Sequence, residues 1–316
     1  MRNSYYLIHP AMLVSRTWQN YRQTITRAIL ERRIQKLLTS HDAQKQFLYH
    51  RKLIYLIAEL YGNFDPALVE SIAIIHFLQF QYLYFMVNYK TLPMTINNTA
   101  EARKVLGSIE EKTKQIASCL TAERSVANKL LVDSYTFLNA HIDVYQAACS
   151  LKVEIDQELF EELVKPFAAV FNLPAEVFSA ISGNDKEKTK LQSGLEYYFL
   201  GKKIVTDIID FKYDVAGDSW NYVQSSFSRR MRSEGIRIDQ MNTEKRVKYF
   251  FVSEAATQLY QEAITYFEKS VNCWDALPSD NLAKFPQQDI KQIGQIILTI
   301  NQLLEKAVNK AGTFTA

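Results

Sequence analysis

Only nine glycines and seven prolines punctuate a chain of 316 residues. These two residues supply most tight turns and most helix stops, so their scarcity predicts long helices joined by few sharp reversals. The apolar positions agree. They recur at helical spacing, and no period-2 run bounded by turn residues predicts a strand. There is no internal repeat and no low-complexity linker. The expectation is one all-α domain over residues 1–316, a single antiparallel bundle of about ten or eleven helices.

Residues 11–39 place Leu13, Trp18, Tyr21 and Ile25 on one face and arginines on the other, as in an outer helix. A second helix starts near Ser40 and Asp42 and stops at Gly62-Asn63. Asp65-Pro66 opens a third, apolar nearly all round, that runs to about Tyr89 and belongs in the core. Its most apolar stretch, Ser71 to Val87, is interrupted by His76, Gln79 and Gln81 and is short for a bilayer, so no transmembrane segment is expected. Thr91 to Thr99 reads as a loop. Residues 100–119 and 122–150 read as amphipathic helices, and 156–182 as two short helices split at Leu173-Pro174. A turn at Gly183-Asn184-Asp185 leads into a long helix over 188–215, broken by Gly217-Asp218-Ser219. An arginine-rich segment follows, then one helix over 242–274 and a last one over 287–310.

A hydrophobic content of 47% with 22% charged residues is that of an ordinary soluble globular protein. The formal charge of +3 is too small to point to nucleic acid. Cys119, Cys149 and Cys273 are far apart, odd in number and without metal-site spacing, which suits a reducing compartment. With no secretory signal legible at Met1 to Pro10, the expected location is cytoplasmic.

The chemistry concentrates in Asp207-Ile-Ile-Asp210-Phe-Lys-Tyr-Asp214. Carboxylates at i, i+3 and i+7 share one helical face and repel unless a cation or basic partner sits among them. Mg2+ completed by substrate phosphates would suit them; so would a solvated acidic stripe. His76 is either a core histidine bonded to a carbonyl or a ligand or base. Arg229-Arg230-Met231-Arg232 is either a solvated loop or a flexible basic segment that closes over a phosphate. No G-x-G-x-x-G, Walker A, H-E-x-x-H or C-x-x-C is present.

Lys203-Ile-Val-Thr206-Asp207-Ile-Ile-Asp210 resembles the second aspartate-rich motif of the trans-isoprenyl diphosphate synthases, Q-I-x-D-D-x-x-D. Lys203 stands where Gln is usual and Thr206 where the first Asp is usual; Asp207 and Asp210 match. Asp214, Gly217 and Trp220-Asn221-Tyr222 are similar to the tail that follows in class I isoprenoid synthases. His50 to Gly62 and Ser253 to Phe267 resemble two further helices of that family. The first aspartate motif, D-D-x-x-D, has no counterpart: Leu83, Tyr84 and Val87 stand at its three acidic positions. The resemblance implies an isoprenoid synthase bundle with Mg2+ on Asp207, Asp210 and Asp214. It implies diphosphate contacts from Lys203, Arg229 and Arg230, and a prenyl pocket of Phe77, Phe80, Gln81 and Tyr84. The implied activity is that of a prenyltransferase or terpene synthase-like enzyme on a prenyl diphosphate. The degenerate first motif implies the alternative, a non-catalytic subunit that partners an active synthase as a heterodimer, or a homodimer.

Overall fold

The computed structural model describes residues 41–88, 107, 111, 125–279 and 281–312, and every regular element among them is a helix. In chain order these are α1 (His41–Tyr61), α2 (Pro66–Asn88), α3 (Ser125–Ser150), α4 (Gln157–Val164), α5 (Ala169–Ser182), α6 (Lys188–Ala216), α7 (Tyr222–Ser233), α8 (Thr243–Val252), α9 (Ala255–Asp275) and α10 (Lys284–Gly312). Short 3-10 turns occupy Lys165–Ala168 and Ile238–Gln240. The helix expected over 11–39, the loop Thr91 to Thr99 and nearly all of the helix over 100–119 lie outside the described residues. The all-α expectation holds.

The helices gather into two compact units. One holds α1, α2 as far as Met86, α3 as far as Ala140, and α5; the other holds the rest of α3, α4, α6 from Lys190, and α7 to α10. In the first unit an aromatic cluster surrounds two buried histidines. Phe80 lies 4.4 Å from the His50 ring and Phe171 5.1 Å from the His76 ring, centroid to centroid. Pro174 does not split the helix near it, as the sequence had suggested; it lies inside α5. The break falls earlier, at the 3-10 turn Lys165–Ala168. A proline inside a helix leaves the carbonyl four residues back without its usual donor. Here that carbonyl belongs to Val170, and His76 Nδ1 bonds it at 2.9 Å. His76 is thus the core histidine bonded to a carbonyl.

In the second unit α6 lies against α9 at very close range. A methyl at Gly194 would sit 2.1 Å from the Trp274 indole nitrogen, and one at Gly201 2.8 Å from the Phe267 ring. Ser270 Oγ donates to Gly194 O at 2.8 Å across the same contact. Phe211, Phe227 and Phe250 join α6, α7 and α8, the first and last stacked at 3.8 Å. The single helix expected over 242–274 is two, parted at Glu254, whose φ of 63° is left-handed. Phasing explains the break. Phe250 and Leu259 are both buried, yet nine residues along one straight helix would point them about 180° apart.

The stretch Gln157–Ser182 has the length and hydropathy of a membrane span, but 61% of its most apolar window is buried, as in a core helix.

Candidate functional site: a lysine among the carboxylates

Over its last turns helix α6 buries acids beside Ile208 and Phe211. Asp207 and Asp214, seven residues apart and so on one face, are only 4% and 7% exposed. Asp210, on their flank, is half-buried. The opposite face presents Ile209 and Tyr213, 63% and 72% exposed. A carboxylate taken out of water needs a compensating charge or hydrogen bonds, and Lys203, one turn before Asp207, supplies the charge. Its Nζ lies 2.5 Å from Asp207 Oδ1, and the two side chains are 12% and 6% exposed. The same ammonium sits 5.6 Å over the Tyr145 ring of α3.

Burial opposes the Lys203 charge most strongly of any single cause, but Asp207, Tyr145 and Asp214 together hold the ammonium above its usual range. Burial also pushes the carboxyls up, against the pull of Lys203, at Asp207 and Asp210. At Asp214 burial, reinforced by the Asp207 charge, moves the carboxyl up to about 7. Asp214 is steadied by Asn221, whose Nδ2 donates to its Oδ2 at 2.8 Å. Asn221 serves twice, because its Oδ1 accepts from Gln224 N at 2.9 Å and so caps α7.

A cavity of about 160 Å3 lies beside this cluster, lined by Tyr145, Cys149, Lys203, Asp207, Asp214 and the turn 217–221. Asp207 Oδ2 and Ser219 Oγ are buried and find no hydrogen-bond partner among the described residues. A larger hollow of about 650 Å3 shares Lys152, Asp214, Asp218, Ser219 and Trp220 with it and continues to Arg232, Arg237 and Arg246. Most of its cations are engaged: Lys152 with Asp218 at 2.7 Å, Arg232 with Glu154 at 2.6 Å, and Arg246 with the carbonyls of Ile238 and Met241.

Arg229 and Arg230 line neither cavity. They stand on α7 rather than on a flexible segment, because Asn221 caps the helix, Phe227 and Met231 anchor it, and Arg230 pairs with Glu234 one turn on at 3.0 Å. Arg229 acts on the Tyr222 hydroxyl and the Glu262 carboxylate. Phe77 and Phe80 belong to the histidine cluster of the first unit. The side chains of Gln81 and Tyr84 lie outside the described residues. Tyr145 and the paired corner Lys152–Asp218 carried no sequence signal, since only the approach of α3 brings them to α6. Asn221 did carry one, as a capping residue at the start of a helix.

Mg2+ requires a near-octahedral set of oxygens at about 2.0–2.1 Å. Among the described residues no three His, Cys, Asp or Glu side chains converge to hold a metal ion. One oxygen of Asp207 is committed to Lys203 and one of Asp214 to Asn221. As arranged, these residues do not fit the ion.

No protein-family model matches the chain, and none of the curated proteins matches its sequence. Solved structures do. A decaprenyl diphosphate synthase from Rhodobacter capsulatus matches with a TM-score of 0.64 at 13% identity, over 90% of this chain and 93% of that one. A geranylgeranyl pyrophosphate synthetase from the archaeon Geoglobus acetivorans matches with a TM-score of 0.52 at 14% identity, over 89% of this chain and 99% of the other.

Proposed function

We propose that this chain, which has the fold of the trans-isoprenyl diphosphate synthases, is a non-catalytic member of that fold and works as the partner subunit of an active synthase. The single observation that carries the reading is the ion pair between Lys203 and Asp207. It neutralises from within the helix whose carboxylates would otherwise gather a cation for a diphosphate. The sequence supports it independently, because Leu83, Tyr84 and Val87 offer no charge where a second set of acids would be needed. The reading takes residues 1–316 as one isoprenoid synthase-like domain and the assembly as a cytoplasmic heterodimer.

The purified chain alone is then expected to release no diphosphate from farnesyl or geranylgeranyl diphosphate in Mg2+. It is expected to co-purify with a synthase carrying D-D-x-x-D and to change that enzyme's rate or product. The competing reading is the Mg2+-dependent prenyltransferase or terpene synthase-like enzyme acting through Asp207, Asp210 and Asp214. Its support is Asp207 Oδ2, buried beside a cavity with no partner among the described residues. Diphosphate release by the chain alone, abolished in Asp207→Ala and Asp210→Ala, would establish it instead.

A further inference from the structure

The carboxylates of α6 already have their cation. We infer that the Lys203 ammonium stands as a fixed internal counter-ion where a divalent ion would have to sit among Asp207, Asp210 and Asp214, so that the native chain takes no Mg2+ at this helix. The inference concerns the site on which the proposed function rests, but not the existence of a partner.

Three observations converge on it. Lys203 Nζ lies within 2.5 Å of Asp207 Oδ1, and both side chains are nearly excluded from water. In that setting the attraction is little screened and the charges have no solvent to turn to. The Tyr145 ring lies beneath the same ammonium and fixes its position from a second helix. Lys203 also acts electrostatically on all three carboxylates, favouring the ionised form of each. A hydrated Mg2+ and an ammonium cannot share the space beside Asp207, and the Lys203 ammonium is held there by Asp207 and the Tyr145 ring.

Asp207 Oδ2, buried at the edge of the 160 Å3 cavity and without a partner among the described residues, marks the vacant side of the pair. Removal of the ammonium would leave two deeply buried carboxylates and a half-buried third on one helical face with a cavity beside them. That set attracts a hard divalent cation.

The test is the Mg2+ dependence of thermal unfolding, measured on the full chain after chelation and dialysis. The native protein should keep its Tm across the titration. Lys203→Gln should melt lower in chelator and regain about 2 °C once Mg2+ exceeds its Kd tenfold. Lys203→Gln/Asp207→Asn should lose that response, which locates it at Asp207. A Mg2+-dependent rise in native Tm overturns the inference, as does a Lys203→Gln protein no more responsive than the native one. The native titration decides the matter even if Lys203→Gln does not fold. Neither measurement depends on turnover or on a partner, so failure here and failure of the subunit reading are separate results.

Discussion

His76 owes its state to a residue on another helix. Pro174 has no N–H, so the Val170 carbonyl is left to take the proton of His76 Nδ1. The remaining nitrogen of His76, Nε2, is then an acceptor, and His50 Nδ1 donates to it at 3.0 Å. Burial outweighs the pull of the carbonyl and lowers His76 to about 4. The folded protein therefore binds the proton less well than the unfolded chain. Stability from this group is complete above pH 6.5 and drains away as pH falls toward and through 4, by about 3 kcal/mol in all. Asp214 runs the other way, because its raised carboxyl removes stability as pH rises toward 7. The measurement that isolates His76 is thus the difference in denaturant unfolding against pH between Asp214→Asn and Asp214→Asn/His76→Gln, which cancels the other raised carboxyls. A histidine resonance with a midpoint near 4, absent in His76→Gln, is its direct counterpart.

At the scale of the element, Asn221 binds the start of α7 to the charge cluster of α6. Its Oδ1 satisfies a first-turn N–H while its Nδ2 satisfies Asp214. Asn221→Ala should cost about 1–2 kcal/mol for the cap and further stability for the orphaned carboxyl. Asn221→Asp separates the two roles. It keeps the cap but replaces the donor with an oxygen facing Asp214, so it should still destabilise, by about 1–3 kcal/mol in urea unfolding above pH 7. The kink at Glu254 shows what sequence reading left out at this scale. No Gly or Pro announces it, and helix signals run through residues 242–274. Only the clash of phase between Phe250 and Leu259, both in the core, requires the break. Likewise Pro174 reads as a helix stop until His76 is seen to use the carbonyl it exposes.

For the molecule as a whole, the scarcity of Gly and Pro together with apolar residues at helical spacing made the all-helical fold legible. The shared face of Asp207 and Asp214 followed from a spacing of seven. Which way that face turns could not be read, because apolar residues lie on both sides of α6: Ile204, Ile208 and Phe211 inward, Ile209 and Tyr213 outward. The cation among the acids was in plain sight at i−4 from Asp207, but its burial was not. The same inward side chains set where the structure holds longest. Tyr198, Phe211, Phe267 and Trp274 are sealed from solvent, whereas Leu298 and Leu303 of α10 are about three-fifths exposed. Amide hydrogen exchange should be slowest through the middle of α6 and α9 and fast in the last turns of α10. The end of α3 and the end of α6 meet at a corner of another kind. Lys152 and Asp218 take φ of 50° and 53°, a region that side-chained residues enter reluctantly, and they hold each other there by an exposed ion pair. Glycine would make either turn more easily and leave the other residue nothing to grip. At this corner the chain has taken the stiffer material, and the rim of the cavity keeps its outline through a clasp fastened between two reluctant bends.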